Sequence, residues 1–447
     1  MTTRALAEND DDSDYMLPLL HTNKKLKTSV NTSTDYSDST RKNMYLDTVN
    51  RKNLDFDFEK ICCVTLSPSN VYCCLTCGKY FQGRSVNSPC FAHSINDNHH
   101  IFISFSNLKV YCLPENYEIK TSLDDIKFQI NPKYSEVDVN LLQSGKLGTG
   151  TDLDGTEYTQ SVIGMNNIKG NDYTNVILQA LIHIPKIRDF FLLKDHSEES
   201  NELLKRFSII VKKMYSLKLF RNHVSPHEIL QCIDVMSKKK FTIGTKGMPN
   251  DFLLWFVNTL NSDTKIFSSS LQGKLEISTS IKGKDEVIVK RQKFWELNLK
   301  LPPVSVLKKE KPLQTSLYTL LEPYTNSTDI IVSETQTTRY KITKFPEYLV
   351  LNFNRFMDFN LNIPLDLKER NKSIVEFPFN LEFNNGEVKY KLISNVVHYE
   401  MNNQSNWKIQ MNLNRKWYEI DNLQITEKEK EFLFLNETCL QIWRRVK

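Results

Sequence analysis

The sequence predicts an α+β chain with a small metal-binding module ahead of its main domain, and three observations carry that expectation. Apolar residues keep helical spacing from about Tyr158 to Leu260. From Phe294 onward they alternate or gather in β-rich runs, and helices followed by antiparallel strands is the α+β order. Seven of the nine cysteines fall between Cys62 and Cys112, among His93, His99 and His100. A length of 447 residues accommodates two or three domains of about 150 residues each. The 40% hydrophobic and 25% charged content excludes a chain disordered throughout. A net charge of +5 over this length is too weak to argue for a nucleic-acid tract or a membrane-binding surface. The longest apolar runs, such as Phe252–Val257, are far too short to span a bilayer, and no apolar leader follows Met1. The expectation is a soluble, intracellular protein.

Residues 1–43 are rich in Asp, Asn, Ser, Thr and Lys, and are expected to be a disordered tail. Its acidic stretch Glu8–Asp14 and its Lys24–Lys27 cluster are read as solvated charge runs. The Cys/His-rich module occupies 44–142. Four glycines then fall between Gly145 and Gly155, so 143–157 is expected to be a flexible Gly-rich linker. The large domain runs over 158–447. Leu203, Leu204, Phe207, Ile210, Val211 and Met214 define one helix face. Ser225-Pro-His-Glu228 has the form of a capping box opening a helix to about Met236, and Asn250-Asp251 starts another through Leu260. Strands are expected over Phe294–Leu301, Tyr348–Phe353, Lys389–Tyr399, Trp407–Leu413 and Lys416–Ile420.

Cys74-Leu-Thr-Cys77 places two thiolates on one knuckle, and His93 and His99 complete a set of four donors in short-spaced pairs. Tetrahedral zinc requires that arrangement, and a closed Cys2His2 site contributes folding energy while leaving no position for catalysis. Cys73, Cys63 and His100 are the rival ligands.

Cys74-Leu-Thr-Cys77-Gly78, Gln82-Gly-Arg84, His93 and His99 resemble the ubiquitin-binding-type (UBP) zinc finger found beside many deubiquitinases. Members of that family often carry up to three zincs. Here Thr65, Gln82 and Pro89 stand where a second site needs Cys, Cys and His, and Cys62 and Cys112 are isolated remnants, so the resemblance implies one structural zinc. Tail-binding members clamp the ubiquitin C-terminus with an arginine and flanking aromatics. Arg84 and Tyr111 match two of those positions, and Leu113 replaces an expected aromatic.

Gly164 to Gln179 resembles the cysteine box of the ubiquitin-specific proteases, a papain-like fold with a helical thumb and a β-rich palm and fingers. Gly164, Asn167, Tyr173, Asn175, Leu178 and Gln179 stand in register. Asp172 occupies the nucleophile's place, and a carboxylate suits a helix start but is no thiolate. Lys169 and Gly170 depart from the family's Gly-Asn ahead of it. Ser405-Asn406-Trp407 stands where a Gly-His-Tyr-like triplet carries the general base, and an amide has no usable proton affinity near neutrality. Trp417-Tyr-Glu-Ile-Asp421 matches the segment of the orienting acid. His398 is read as a structural histidine and Cys232 as a core thiol. Between Cys232 and Cys439 there is no cysteine, so the usual finger metal site is expected to be gone.

Together with Tyr45–Asn50, Asp55–Lys60 and Cys112–Ile119, these segments resemble the inactive, splicing-associated branch of the ubiquitin-specific proteases, the U4/U6.U5 tri-snRNP-associated type. That resemblance implies a nuclear, non-catalytic scaffold, monomeric outside its complex, with protein components of the tri-snRNP as partners and direct RNA contact weak or absent. The alternative is a reader that binds ubiquitin or a ubiquitin-like protein without cleaving it.

Overall fold

The computed structural model describes residues 45–446 except 121, 197–198, 283–286, 304–312, 326–329, 334–335 and 357–363. The tail over 1–43 lies outside the described residues. None of the described helices is long and apolar enough to cross a membrane.

The first module is an antiparallel sheet in the order Tyr80–Gln82, Val71–Cys74, Ile101–Ser104, Val110–Cys112, Tyr117–Ile119. Strand alternation divides the Val71–Cys74 strand between two small cores. Val71 and Cys73 pack with Ile101, Ile103 and Ile126, whereas Tyr72 and Cys74 pack with Phe81, Phe102 and Cys90. Cys90 comes from the helix Pro89–Asn96, which opens on Ser88 accepting the Phe91 N–H, with Pro89 in the first turn where a missing N–H costs nothing.

Residues 143–157, expected to be a flexible linker, are drawn into the body of the protein. Thr149–Thr151 pairs antiparallel with Glu157–Thr159. A Cβ on Gly150 would lie 2.5 Å from the Tyr158 ring, so that glycine permits close packing rather than motion.

The larger domain begins with the helices Asp172–Ile182, Pro185–Leu193, Glu202–Met214, His227–Met236 and Pro249–Leu260. All six residues of the expected Leu203–Met214 face are buried. The central sheet follows the order Leu297–Lys300, Tyr348–Asn354, Glu437–Val446, Val388–Met401, Gln404–Leu413, Lys416–Asp421, Gln424–Lys428. Only the first pair of strands is parallel. The expected strand Phe294–Leu301 is two pieces. Phe294 ends Val287–Phe294 of a separate four-stranded sheet, and Leu297–Lys300 starts the central one. The Asp172 helix packs on the Gln404–Leu413 strand and on the Pro249–Leu260 helix, which positions its first turn against the sheet.

The two modules are clasped by the segment Asp55–Lys60. Asp57 pairs with Lys213 and accepts the Ser225 N–H at 2.9 Å. Lys60 pairs with Glu228 at 3.0 Å, Arg221 pairs with Asp55, and the Phe58 ring meets His227 edge-on at 4.9 Å. Burial alone would raise the Asp57 carboxyl, but Lys213 and the Ser225 amide hold it below the ordinary value. The clasp explains why the expected Ser225–Glu228 capping box does not form. The helix begins at His227 without a side-chain cap, because Ser225 donates to Asp57 and Glu228 turns to Lys60.

Candidate functional site

Four donors meet in the small module. Cys74 closes its strand, Cys77 lies on the turn beyond, His93 sits in the Pro89 helix, and His99 precedes the Ile101 strand. One ligand atom from each lies within 4.8 Å of all the others, and this is the one such cluster among the described residues. His93 Nε2 is 3.4 Å from Cys77 Sγ and 3.1 Å from His99 Nδ1. Gly78 closes the knuckle at φ 76°, and a Cβ there would lie 2.1 Å from the Asn53 carbonyl oxygen. Hydrogen bonding from Cys74 pulls Cys77 down to about 4 and pushes Cys74 up, so the pair readily yields a thiolate. Two thiols and two imidazoles in a closed cage fit a structural zinc. Sequence reasoning missed Asp97, whose Oδ2 lies 2.7 Å from His93 Nδ1. A carboxylate so placed fixes the tautomer of a metal-binding histidine, and the i,i+4 spacing on a helix was the available signal.

The rival ligands are elsewhere. Cys73 faces the opposite core, Cys63 is exposed, and His100 is held by the Leu113 carbonyl at 2.7 Å and Asn98 Oδ1 at 2.8 Å. Where a second metal would need ligands, Thr65 Oγ1 donates to Gln82 Oε1 at 2.9 Å, and Cys62 accepts the Val64 and Thr65 amides. Arg84 lies over the Tyr111 ring at 4.2 Å and donates to Asn116 Oδ1, while Leu113 is fully buried. Arg84 therefore has internal partners, and Leu113 presents no surface to a ligand.

In the cleft between the Asp172 helix and the sheet, each singled-out residue is engaged. Asp172 is 2% exposed; its Oδ2 accepts the Trp407 N–H at 2.8 Å and its Oδ1 the Tyr173 N–H at 3.1 Å. Burial raises its pKa, against those two amides and the charge of Lys246. Asn406, next to Trp407, donates to the Gln404 carbonyl at 2.8 Å. Asp421 accepts the Tyr399 hydroxyl at 2.6 Å and the Asn422 amide at 2.9 Å. Tyr399 faces Asn406 across the strand pair, and sequence reasoning missed it because strand register is a tertiary property. The space lined by Asp172, Asn175, Gln179, Trp407 and Asn422 is only ≈ 10 Å³. The turn ahead of Asp172 runs through Lys169 at φ 56° and Gly170 at φ 85°, with Asn167 Oδ1 accepting the Gly170 and Asn171 amides at 2.9 and 3.0 Å.

His398 is 1% exposed, with Nδ1 3.0 Å from Glu437 Oε2 and its ring against Trp407. Burial pushes Glu437 up, but hydrogen bonds with His398 and Arg370 bring it down to about 2. The thiols of the large domain lack activation. Burial pushes Cys232 up to about 11 and Cys439 up to about 12.

A profile described as ubiquitin carboxyl-terminal hydrolase matches residues 163–441, and one described as Zn-finger in ubiquitin-hydrolases and other protein matches 62–124. The chain is 38% identical over 440 residues to the pre-mRNA-splicing factor SAD1 of Saccharomyces cerevisiae, covering 90% of this chain and 93% of that one. It is 35% identical over 455 residues to the human ubiquitin carboxyl-terminal hydrolase 39, covering 90% of this chain and 79% of that one. The crystal structure of an essential yeast splicing factor superposes with a TM-score of 0.78 at 37% identity, over 90% of this chain and 100% of that one. The SAGA deubiquitinating module bound to ubiquitin aldehyde matches with a TM-score of 0.53 at 18% identity, a likeness of fold alone. On this coverage and identity, the chain belongs to the ubiquitin carboxyl-terminal hydrolase family, on the branch that carries a zinc finger of the ubiquitin-hydrolase type and includes the splicing factor SAD1.

Proposed function

We propose that this chain is a non-catalytic pre-mRNA splicing factor, a pseudo-deubiquitinase scaffold that supports assembly or stability of the tri-snRNP in the nucleus. The observation that carries the inactive reading is the Asp172 carboxylate, bonded to the Trp407 amide where the family has its thiolate. Asn406 at the base position has no usable proton affinity, and Asp421 is left orienting a tyrosine hydroxyl. The splicing role follows from the relatives, which are named splicing factors over nearly the whole of this chain. One zinc held by Cys74, Cys77, His93 and His99 would stabilise the small module and take no part in chemistry. Protein components of the U4/U6.U5 tri-snRNP are the partners on this reading. Ubiquitin-tail capture through Arg84 and Tyr111 is disfavoured, since Arg84 already has a hydrogen-bond partner and Leu113 is buried.

Affinity purification from nuclear extract at moderate salt, paired with a ubiquitin hydrolysis assay, tests both halves. Recovery of tri-snRNP proteins with no turnover is expected. Turnover abolished by Asp172→Ala would overturn the inactive reading, and a preparation free of spliceosomal proteins would overturn the scaffold.

A further inference from the structure

A cavity of the large domain lies at the far end of the Asp172 helix from Asp172. It is a groove of ≈ 980 Å³ where the helix's last turn, the central sheet and the loop before the Tyr348–Asn354 strand come together. The eleven residues from Asp172 to Ile182 span about 16 Å at the helical rise, so the groove is separate from the degenerate cleft. Three features mark it as a built surface. The first is a rim of four cations, Lys344, Lys391, Arg444 and Arg445. None of them has a carboxylate within ion-pair distance among the described residues, although Lys391 and Arg444 are directly opposed in register. Like charges facing one another across a strand pair destabilise the sheet, so something other than folding accounts for them.

The second feature is the floor, which includes the half-buried side chains of Phe345, Ile393 and Leu413. The third is Ser394, which lines the groove, is 3% exposed, and has a hydroxyl oxygen without a hydrogen-bond partner. Ser394 follows a register shift between Leu392 and Ser394 against the Glu437–Val446 strand. A bulge re-aims side chains, and a buried hydroxyl left unpaired has an external ligand as its natural complement. Of the two acids at the edge, Glu347 pairs with Lys186 at 3.0 Å and leaves Glu387 as the lone counter-charge.

We propose that this groove is a docking site for an acidic protein segment carrying apolar anchors. Anchors would cover the floor, a polar backbone or side-chain group would meet the Ser394 hydroxyl, and flanking carboxylates would neutralise Lys391, Arg444 and Arg445. The apolar floor favours a peptide over a nucleic-acid backbone, which would satisfy the rim and leave the floor uncovered. The proposal goes beyond the splicing reading and does not depend on it.

The test is selection of a displayed random peptide library on the purified full chain. The enriched peptides are then titrated against three variants: Lys391→Glu with Arg444→Glu, Lys391→Gln with Arg444→Gln, and Ile393→Ser. Expected are peptides combining Asp or Glu with large apolar residues. Their affinity should fall at least about tenfold on charge reversal and by less on neutralisation or on Ile393→Ser, with each variant still folded by circular dichroism. A single-stranded RNA oligonucleotide is titrated alongside. Tighter binding of the RNA with a steep salt slope would overturn the proposal in favour of nucleic acid. A selection that enriches no such peptides, or peptides indifferent to all three variants, would overturn it outright.

Discussion

The metal cluster and the cleft are both sets of polar side chains converging from distant segments, and they differ in whom those side chains meet. In the small module the closest polar neighbours of His93 Nε2 are Cys77 and His99, donor against donor. Such an arrangement suits a shared cation. In the cleft Asp172 meets the Trp407 amide, Asn406 the Gln404 carbonyl and Asp421 the Tyr399 hydroxyl. Each of those three side chains has a partner within the protein. The cage leaves its donors for an ion to complete, whereas these three side chains are completed by the fold, since buried polar atoms left unpaired are costly. Thr65 and Gln82, at positions where the resemblance would put ligands of a second metal, are likewise bonded directly to each other.

The largest expected effect breaks the first half of this contrast. Cys77→Ser should release the zinc, whose binding in structural sites is worth about 10–16 kcal/mol near neutral pH, and with it the fold of the small module. Wild type should carry one zinc per chain by metal analysis. Because the Asp55–Lys60 clasp joins the modules, calorimetry of the variant should show the large domain melting below its wild-type temperature. An unshifted large-domain transition would mean that the clasp transmits nothing.

Next is the clasp itself. Asp57→Ala leaves the Lys213 ammonium buried without its partner and the Ser225 amide unbonded. A loss of about 3–5 kcal/mol in urea unfolding is expected, and an apolar replacement of both Asp57 and Lys213 should cost less. A smaller loss is expected in the cleft. Asp172→Ala should cost about 1–3 kcal/mol by orphaning the Trp407 amide, an effect with no counterpart if the residue were merely a spent nucleophile. Asp172→Cys should remain inert toward a fluorogenic ubiquitin substrate, because triad members act as a unit and Asn406 offers no base. Activity in that variant would point to His398 as the acceptor.

A further effect is one of pH. Burial first, then the charge of Asp251, pushes Glu296 up to about 8 from an ordinary value of 4.5. Between those values the unfolded chain has released this proton while the folded chain keeps it, so stability contributed by the protonated group falls as pH rises from about 4.5 to 8. Glu296→Gln should flatten the decline in melting temperature across that window and leave values below it unchanged. An identical decline in the variant would show that Glu296 is solvated in the folded state.

Much of this architecture was legible in residue order. The Leu203–Met214 face, the long strands after Tyr348 and the Cys/His spacing are local patterns, and periodicity reports them because one side of each element must leave water. What misled was local chemistry later claimed by distant residues. Ser225–Glu228 has the composition of a capping box, yet Asp57 and Lys60, more than 160 positions away by the separations in these contacts, take both partners. The glycines of 143–157 have the composition of a linker, yet Gly150 packs beneath Tyr158.

By itself, then, the sequence determined that Asp172 and Asn406 stand where the resembled family has a thiol and an imidazole, and that Cys74, Cys77, His93 and His99 have the spacing of a metal set, since residue type is a fact of composition at a position. Only the tertiary structure decided where the substituted residues direct their hydrogen bonds. It likewise decided that Tyr399 holds Asp421, that the two modules share one clasp, and that Lys391 and Arg444 face each other beside an apolar groove. The physical reason is range. Residue type and helical or strand period act over a few positions, whereas register, ion pairing between segments and the filling of a buried site depend on contacts the chain makes only once it is folded.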